Sequence, residues 1–130
     1  MANHYPNVVI DSPAGLEHLN RKIVSDIDDL FVILDPSSKS LKHIARIKDI
    51  THQIGITYGH LYLVGNYNFD RDTEEYLGTT GETYLGKIEY DADAQEYNLA
   101  GKSLLDLPES SPAVSSIREI FSKVSGIVED

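Results

Sequence analysis

The chain reads as an α/β protein, a mostly parallel sheet flanked by helices, and three observations predict this class. Val8 to Ile10, Leu30 to Leu34 and Leu61 to Val64 are short apolar runs with the unbroken hydrophobic character of strands buried on both faces. Between the second and third runs, Leu41, Ile44, Ile47, Ile50 and Ile54 recur at helical spacing. Each run stops at turn-forming or polar residues, namely Asp11, Asp35 and Gly65-Asn66. Strand, helix and strand within that span make a right-handed crossover unit. The sheet should therefore carry Asp11, Asp35 and Asn66 at one edge, the carboxyl ends of its strands, where ligands of open α/β sheets collect.

Taken in order, the apolar stretch from Val8 to Ile10 leads into Asp11 and then Ser12-Pro13-Ala14-Gly15, too small and turn-prone to continue a strand. A carboxylate at a strand end is well placed for magnesium or its waters, and small residues beside it allow close approach to a phosphate. Asp11 as a helix cap or turn former is the competing explanation. Leu16 to Asp29 reads as a short helix, or a helix and loop, with Leu19, Ile23 and Ile27 on one face. Leu30 to Leu34 is then a central strand, which Asp28-Asp29 precede.

Asp35-Pro36-Ser37-Ser38 can cap the following helix, whose polar face carries Lys39, Lys42 and Arg46 as a solvated basic stripe and which Gly55 stops. After the strand from Leu61 to Val64 come Gly65, Asn66, Tyr67 and Asn68. Asn66 offers a donor and an acceptor, suited either to a purine edge or to an ordinary turn. Asp70 to Leu77 reads as a short helix, Tyr84 to Tyr90 as a further strand, and Asp91 to Tyr97 as one or two helical turns. Gly101 to Pro108 reads as a loop with a hydrophobic plug, and Ser110-Ser111-Pro112 opens a last helix. Its apolar stripe is Val114, Ile117, Ile120, Phe121, Val124 and Ile127.

Length and composition bound the function. The 130 residues predict one domain, long enough to bury roughly two-thirds of its unfolded surface. A formal net charge of −10 argues against nucleic acid or an anionic membrane as partner. The absence of cysteine rules out disulfides and thiolate metal sites within the chain. No apolar run approaches the roughly 20 residues of a membrane span, and the start lacks a signal-peptide pattern, so a cytoplasmic location is the expectation. His4, His18, His43, His52 and His60 show no metal-ligand spacing, and no serine-histidine-acid set stands out.

Several strings together point to a family. Asp11-Ser12-Pro13-Ala14-Gly15-Leu16-Glu17 resembles the second magnesium-proximal motif of the MinD/ParA group of nucleotide-switch ATPases. Its extension, Glu17-His18-Leu19-Asn20-Arg21, is similar to the CooC branch, the accessory ATPases of carbon monoxide dehydrogenase maturation. Asp35-Pro36-Ser37 and the long string from Gly101 to Val114 resemble the same branch. Leu85-Gly86-Lys87-Ile88-Glu89-Tyr90-Asp91 resembles the family's Leu-Gly-x-Ile-Pro-x-Asp segment, with Glu89 in place of proline. The resemblance runs from Asn7 to about Glu119.

The resemblance implies the C-terminal part of a P-loop NTPase-like fold, residues 1–130 forming one α/β domain that lacks the glycine-rich phosphate loop. It places Asp11 at magnesium, Gly15 near phosphate, Asn66 at adenine and Glu89 at the rim of the base pocket. In the family the asparagine is usually followed by Lys or Arg, whereas Tyr67 follows here. No complete catalytic set and no metal ligands fall within this chain. The full-length protein would use ATP and magnesium, form a homodimer and serve an apo-dehydrogenase in nickel maturation. No ATP, magnesium or activity is expected of this chain alone. The family's nickel-linked Cys-x-Cys pair is absent, so metal binding does not carry over.

Two other classes compete. One is a free-standing α/β interaction or regulatory domain, for example a receiver-like module with Asp35 as acceptor. The other is a MinD-like cell-division or partition ATPase, which calls for a basic amphipathic tail where this chain ends Val128-Glu129-Asp130. As half of an ATPase, the chain should expose an apolar surface or strand edge that the missing half covers.

Overall fold

The structure, a computed structural model, describes residues 8–11, 26–35 and 38–124. Its sheet has three strands in the order β1-β2-β3, formed by Asp26–Leu34, Thr57–Gly65 and Thr83–Lys87. Both pairings are parallel. Helix α1, Ser38–Ile54, crosses from β1 to β2, and α2, Arg71–Gly78, crosses from β2 to β3. Helix α3, Ala92–Ala100, a 3-10 turn at Leu104–Asp106, and helix α4, Pro112–Ser122, complete the chain's described elements. The expected α/β class with a mostly parallel sheet is what forms.

Alternation along each strand decides which residues meet which helix. Val32, Leu34 and Leu63 pack with Ile44 and Ile47 of α1, with Phe69 and with Leu77 of α2. On the opposite face, Val64 and Leu85 pack with Ile120 and with Val124, just beyond α4. Phe31 extends this second cluster, meeting the Phe121 ring edge-on with centroids 5.4 Å apart. The sheet is thus sandwiched by α1 and α2 on one side and α4 on the other, the layered arrangement of α/β proteins. Gly65 leaves room for its neighbours: a Cβ there would stand 2.8 Å from Phe69 Cδ2 and 2.9 Å from the Tyr84 hydroxyl.

Three expectations need correction. Val8 to Ile10 is not a strand: like Asp11 after it, the run carries no regular structure, and Val9 is 93% exposed. A β-branched run becomes a strand only against a neighbour, and the sheet as described begins at β1. A helix, or a helix and loop, was expected up to Asp29 and strand only from Leu30, yet β1 starts at Asp26. Polar cross-strand contacts carry the acidic stretch into the ladder. Thr57 Oγ1 donates to Asp26 Oδ1 at 2.5 Å, and His60 Nδ1 lies 3.1 Å from Asp29 Oδ1, at registered positions of β2. The rest of the expected helix, from Leu16 to Ser25, lies outside the described residues. Finally, the plug does not plug: Leu104 and Leu105 of the 3-10 turn are exposed, Leu105 at 94%.

Asp91 fastens the second half together. Its Oδ1 accepts from the Asp93 and Ala94 amides at 3.0 and 3.2 Å, capping α3. Its Oδ2 accepts from the Ser111 hydroxyl and from the Ala113 amide in the first turn of α4. The Ser111 hydrogen bond, then the backbone amides of Ala113, Ala94 and Asp93, hold this carboxyl below its ordinary value of 3.8 despite its burial. A depressed folded pKa contributes stability that is complete above the unfolded value and lost as pH falls through the folded one. The wild-type chain should therefore lose stability below about pH 4, and Asp91→Asn should start less stable at neutral pH with a shallower acid limb. Thermal melts across the acid range check this, and parallel acid limbs for the two proteins would contradict it.

Candidate functional site at the carboxyl edge of the sheet

Because all the strands run the same way, their ends lie side by side. Leu34 pairs with Gly65 in register, and Gly65 with Lys87. The chain beyond each strand stays knitted for one more step: the Asn66 amide donates to Leu34 O at 2.8 Å, and the Ile88 amide to Gly65 O at 2.9 Å. This row brings Asp35, Asn66 and the segment from Ile88 to Asp91 to one edge of the sheet. The structure places Asp11 in exposed chain without secondary structure, so it does not sit at a strand end as expected. Gly15 lies outside the described residues.

Asn66 is half-buried at the tip of β2. Its Oδ1 accepts from the Tyr67 amide at 2.8 Å, and its carbonyl accepts from the Phe69 amide at 3.1 Å, which makes it the pivot of a tight turn. Both explanations of this residue thus meet in one geometry. The turn engages one lone pair of Oδ1, and among the described residues the side-chain nitrogen donates to no group.

Glu89 is exposed, and its backbone amide donates to Ser116 Oγ of α4 at 3.0 Å. It borders a depression of about 240 Å³ between the end of β3 and α4, lined also by Gly86, Ser116, Glu119 and Lys123. Asn66 is not part of that lining. The two residues therefore stand on neighbouring strand ends, with Glu89 at this depression and Asn66 outside it.

Cations near this edge are already engaged. Lys87 Nζ donates to Phe69 O at 3.0 Å and lies 3.9 Å from Glu74 Oε1, while Lys123 Nζ donates to Leu85 O at 2.6 Å. Lys102, away from any glycine-rich loop, lies 5.3 Å from the centroid of the Tyr97 ring. Among the described residues no group of three or more His, Cys, Asp or Glu side chains could hold a metal ion.

Sequence reasoning missed one feature of the edge. Tyr67, after β2, and Tyr90, after β3, meet with ring centroids 5.5 Å apart. The available signal was an aromatic residue shortly beyond the ends of two successive strands.

The fold defines a parallel α/β protein, of a kind consistent with a piece of a P-loop NTPase-like fold. The comparisons narrow this. The chain is 32% identical over 127 positions to an ATP-binding protein of Methanocaldococcus jannaschii, spanning 95% of this chain and 50% of that protein. It is 30% identical over 125 positions to a second ATP-binding protein of the same organism, spanning 90% of this chain and 45% of the relative. It is 32% identical over 108 positions to the carbon monoxide dehydrogenase accessory protein CooC of Rhodospirillum rubrum, spanning 82% of this chain and 39% of CooC. The chain is homologous to CooC and to these ATP-binding proteins, as its motifs imply, and it spans half or less of their length. No protein-family profile and no solved structure matches it. No helix among the described residues is long and apolar enough to cross a membrane.

Proposed function

We propose that the chain is the base-binding, C-terminal part of a CooC-type ATPase of the MinD/ParA group, acting in the cytoplasm on metallocentre assembly. The observation that carries this reading is the match along nearly the whole chain to ATP-binding proteins about twice its length. The edge supports it by offering Asn66 to a base while its cations are tied to the protein. In the complete protein, Asn66 would read adenine and Glu89 would stand at the rim of the base. Gly15 would approach a phosphate, and Asp11 would hold magnesium or its waters. The upstream half would bring the phosphate loop, and the client would be an apo-dehydrogenase awaiting nickel.

Two features favour a surface normally covered in that longer protein. Val8, Val9 and Ile10 are exposed, three consecutive apolar residues next to Asp11. In addition, β1 is an edge strand of the described sheet, and Ile33 on it is 55% exposed. The segment from Val8 to Ile10 would become a strand, and carry Asp11 to the carboxyl edge, only when the rest of the sheet is present. The chain alone should therefore self-associate through these uncovered groups as its concentration rises. Light scattering checks this, and a monodisperse monomer at high concentration would count against the reading.

A free-standing interaction domain is the second reading. It is favoured by α3, none of whose residues is buried, and by Leu99, 89% exposed beside the exposed Leu104 and Leu105. Titration with ATP–magnesium, alone and after restoring an upstream half, separates the two readings. Recovery of binding on restoration supports the ATPase part, and no recovery supports the interaction domain.

A further inference from the structure

Exposed aromatic rings usually stand singly on a protein surface. Tyr67 and Tyr90 do not. They are 41% and 52% exposed, and they lean on one another at 5.5 Å with their planes tilted by 58°. They come together because β2 and β3 are adjacent and parallel and each strand is followed closely by a tyrosine. The Tyr90 ring is anchored from behind, and Tyr67 is anchored through its backbone. The Tyr90 hydroxyl donates to Gln95 Oε1 on α3 at 3.2 Å, and Asp91 caps that helix. The backbone of Tyr67 is pinned by Asn66 Oδ1 within the turn.

We propose that Tyr67 and Tyr90 form a stacking platform for a nucleobase, preferentially a purine, with the Asn66 side-chain nitrogen as the adjoining donor. The assignment rests on the nucleotide reading above and names the residues that would hold the base. A slot between the rings is excluded, since a planar ligand needs about 3.5 Å on each side and so a separation of about 7 Å. The base stacks instead on an outer, solvent-facing ring, where the contact of Tyr67 with the anchored Tyr90 lowers the ordering cost. A purine presents more surface than a pyrimidine and carries ring-nitrogen acceptors for the Asn66 donor. With a net charge of −10 and the nearby lysines engaged, the recognition is of the base and not of its phosphates.

The test is a titration of the tyrosine-labelled chain with adenosine, an uncharged probe, into the millimolar range, followed by NMR. Ring-current shifts at Tyr67 and Tyr90 are expected to saturate together with a shift of the Asn66 side-chain amide, and cytidine should bind more weakly. Tyr67→Leu should weaken adenosine about tenfold, as expected from losing ~1.4 kcal/mol of stacking, while Tyr67→Phe stays near wild type. Unperturbed backbone spectra of both variants would show that each has folded. If Asn66 responds while the tyrosine rings do not, or if Tyr67→Leu binds as well as wild type, the platform is overturned and the nucleotide edge stands. If neither Asn66 nor the rings respond, both assignments fall.

Discussion

Replacing Leu63 by alanine is expected to lower stability by about 2–5 kcal/mol, the ordinary cost of emptying a fully buried leucine site. Leu63 is completely inaccessible, lies in the middle strand and packs in the cluster that joins the sheet to α1 and α2. Neither neighbouring strand can shift to fill the space without breaking its ladder to β2. Since domains of this size are stable by only about 5–15 kcal/mol, the variant should populate unfolded chain well before wild type in a denaturant titration. Leu105→Ala is the matched control: the same chemical change at a residue 94% exposed should fall within about ±0.5 kcal/mol. Equal effects at the two positions would mean that the core is misassigned.

The contrast between those leucines also marks what can be read from the chain alone. Leu30 to Leu34 and Leu61 to Val64 were legible as strands because unbroken apolar runs are local signals of a sheet covered on both faces. Ile44 and Ile47 were legible as the buried stripe of a helix for the same kind of reason. Asp70 and Gly55 punctuate helices by chemistry that acts within a few residues: the Thr73 amide donates to Asp70 at 2.8 Å, and Gly55 takes a positive φ of 76°.

What escaped notice depends on partners far along the chain. Asp26 and Asp29 look unlike a strand until Thr57 and His60 stand opposite them. Val8 to Ile10 looks like a strand, yet nothing local says whether a neighbour exists to pair with it. Leu104 and Leu105 look like core and lie at the surface. At the carboxyl edge, the position of Asn66 was legible because it follows a recognisable strand. Its aromatic neighbour Tyr90 was not, because only the pairing of β2 with β3 brings it to Tyr67.

The largest effect is expected in nucleotide binding. Phosphate recognition in a nucleotide site rests on cations and backbone donors aimed at the phosphates. At this edge the lysines are bonded to Phe69 O and Leu85 O, and the chain carries a net charge of −10. Losing a few charge-assisted phosphate hydrogen bonds, at roughly 1.5–3 kcal/mol each, weakens binding by several orders of magnitude. The chain by itself should therefore show no measurable ATPase activity. Joined to an upstream half that supplies the phosphate loop, it should recover both binding and turnover. In that longer protein Asp11→Ala should abolish turnover while the fold survives, since a polar side chain at a strand end acts on the bound magnesium and not on the packing of the core. Retained turnover in the variant would remove Asp11 from the magnesium site.

Calorimetric titration of the chain, as it stands, with ATP–magnesium tests the central claim most directly. The account predicts an isotherm no tighter than about millimolar, because on the proposed reading the chain brings the base end of the site and the upstream half the phosphate end. A micromolar dissociation constant would contradict it, and would mean that these 130 residues hold a complete nucleotide site of their own.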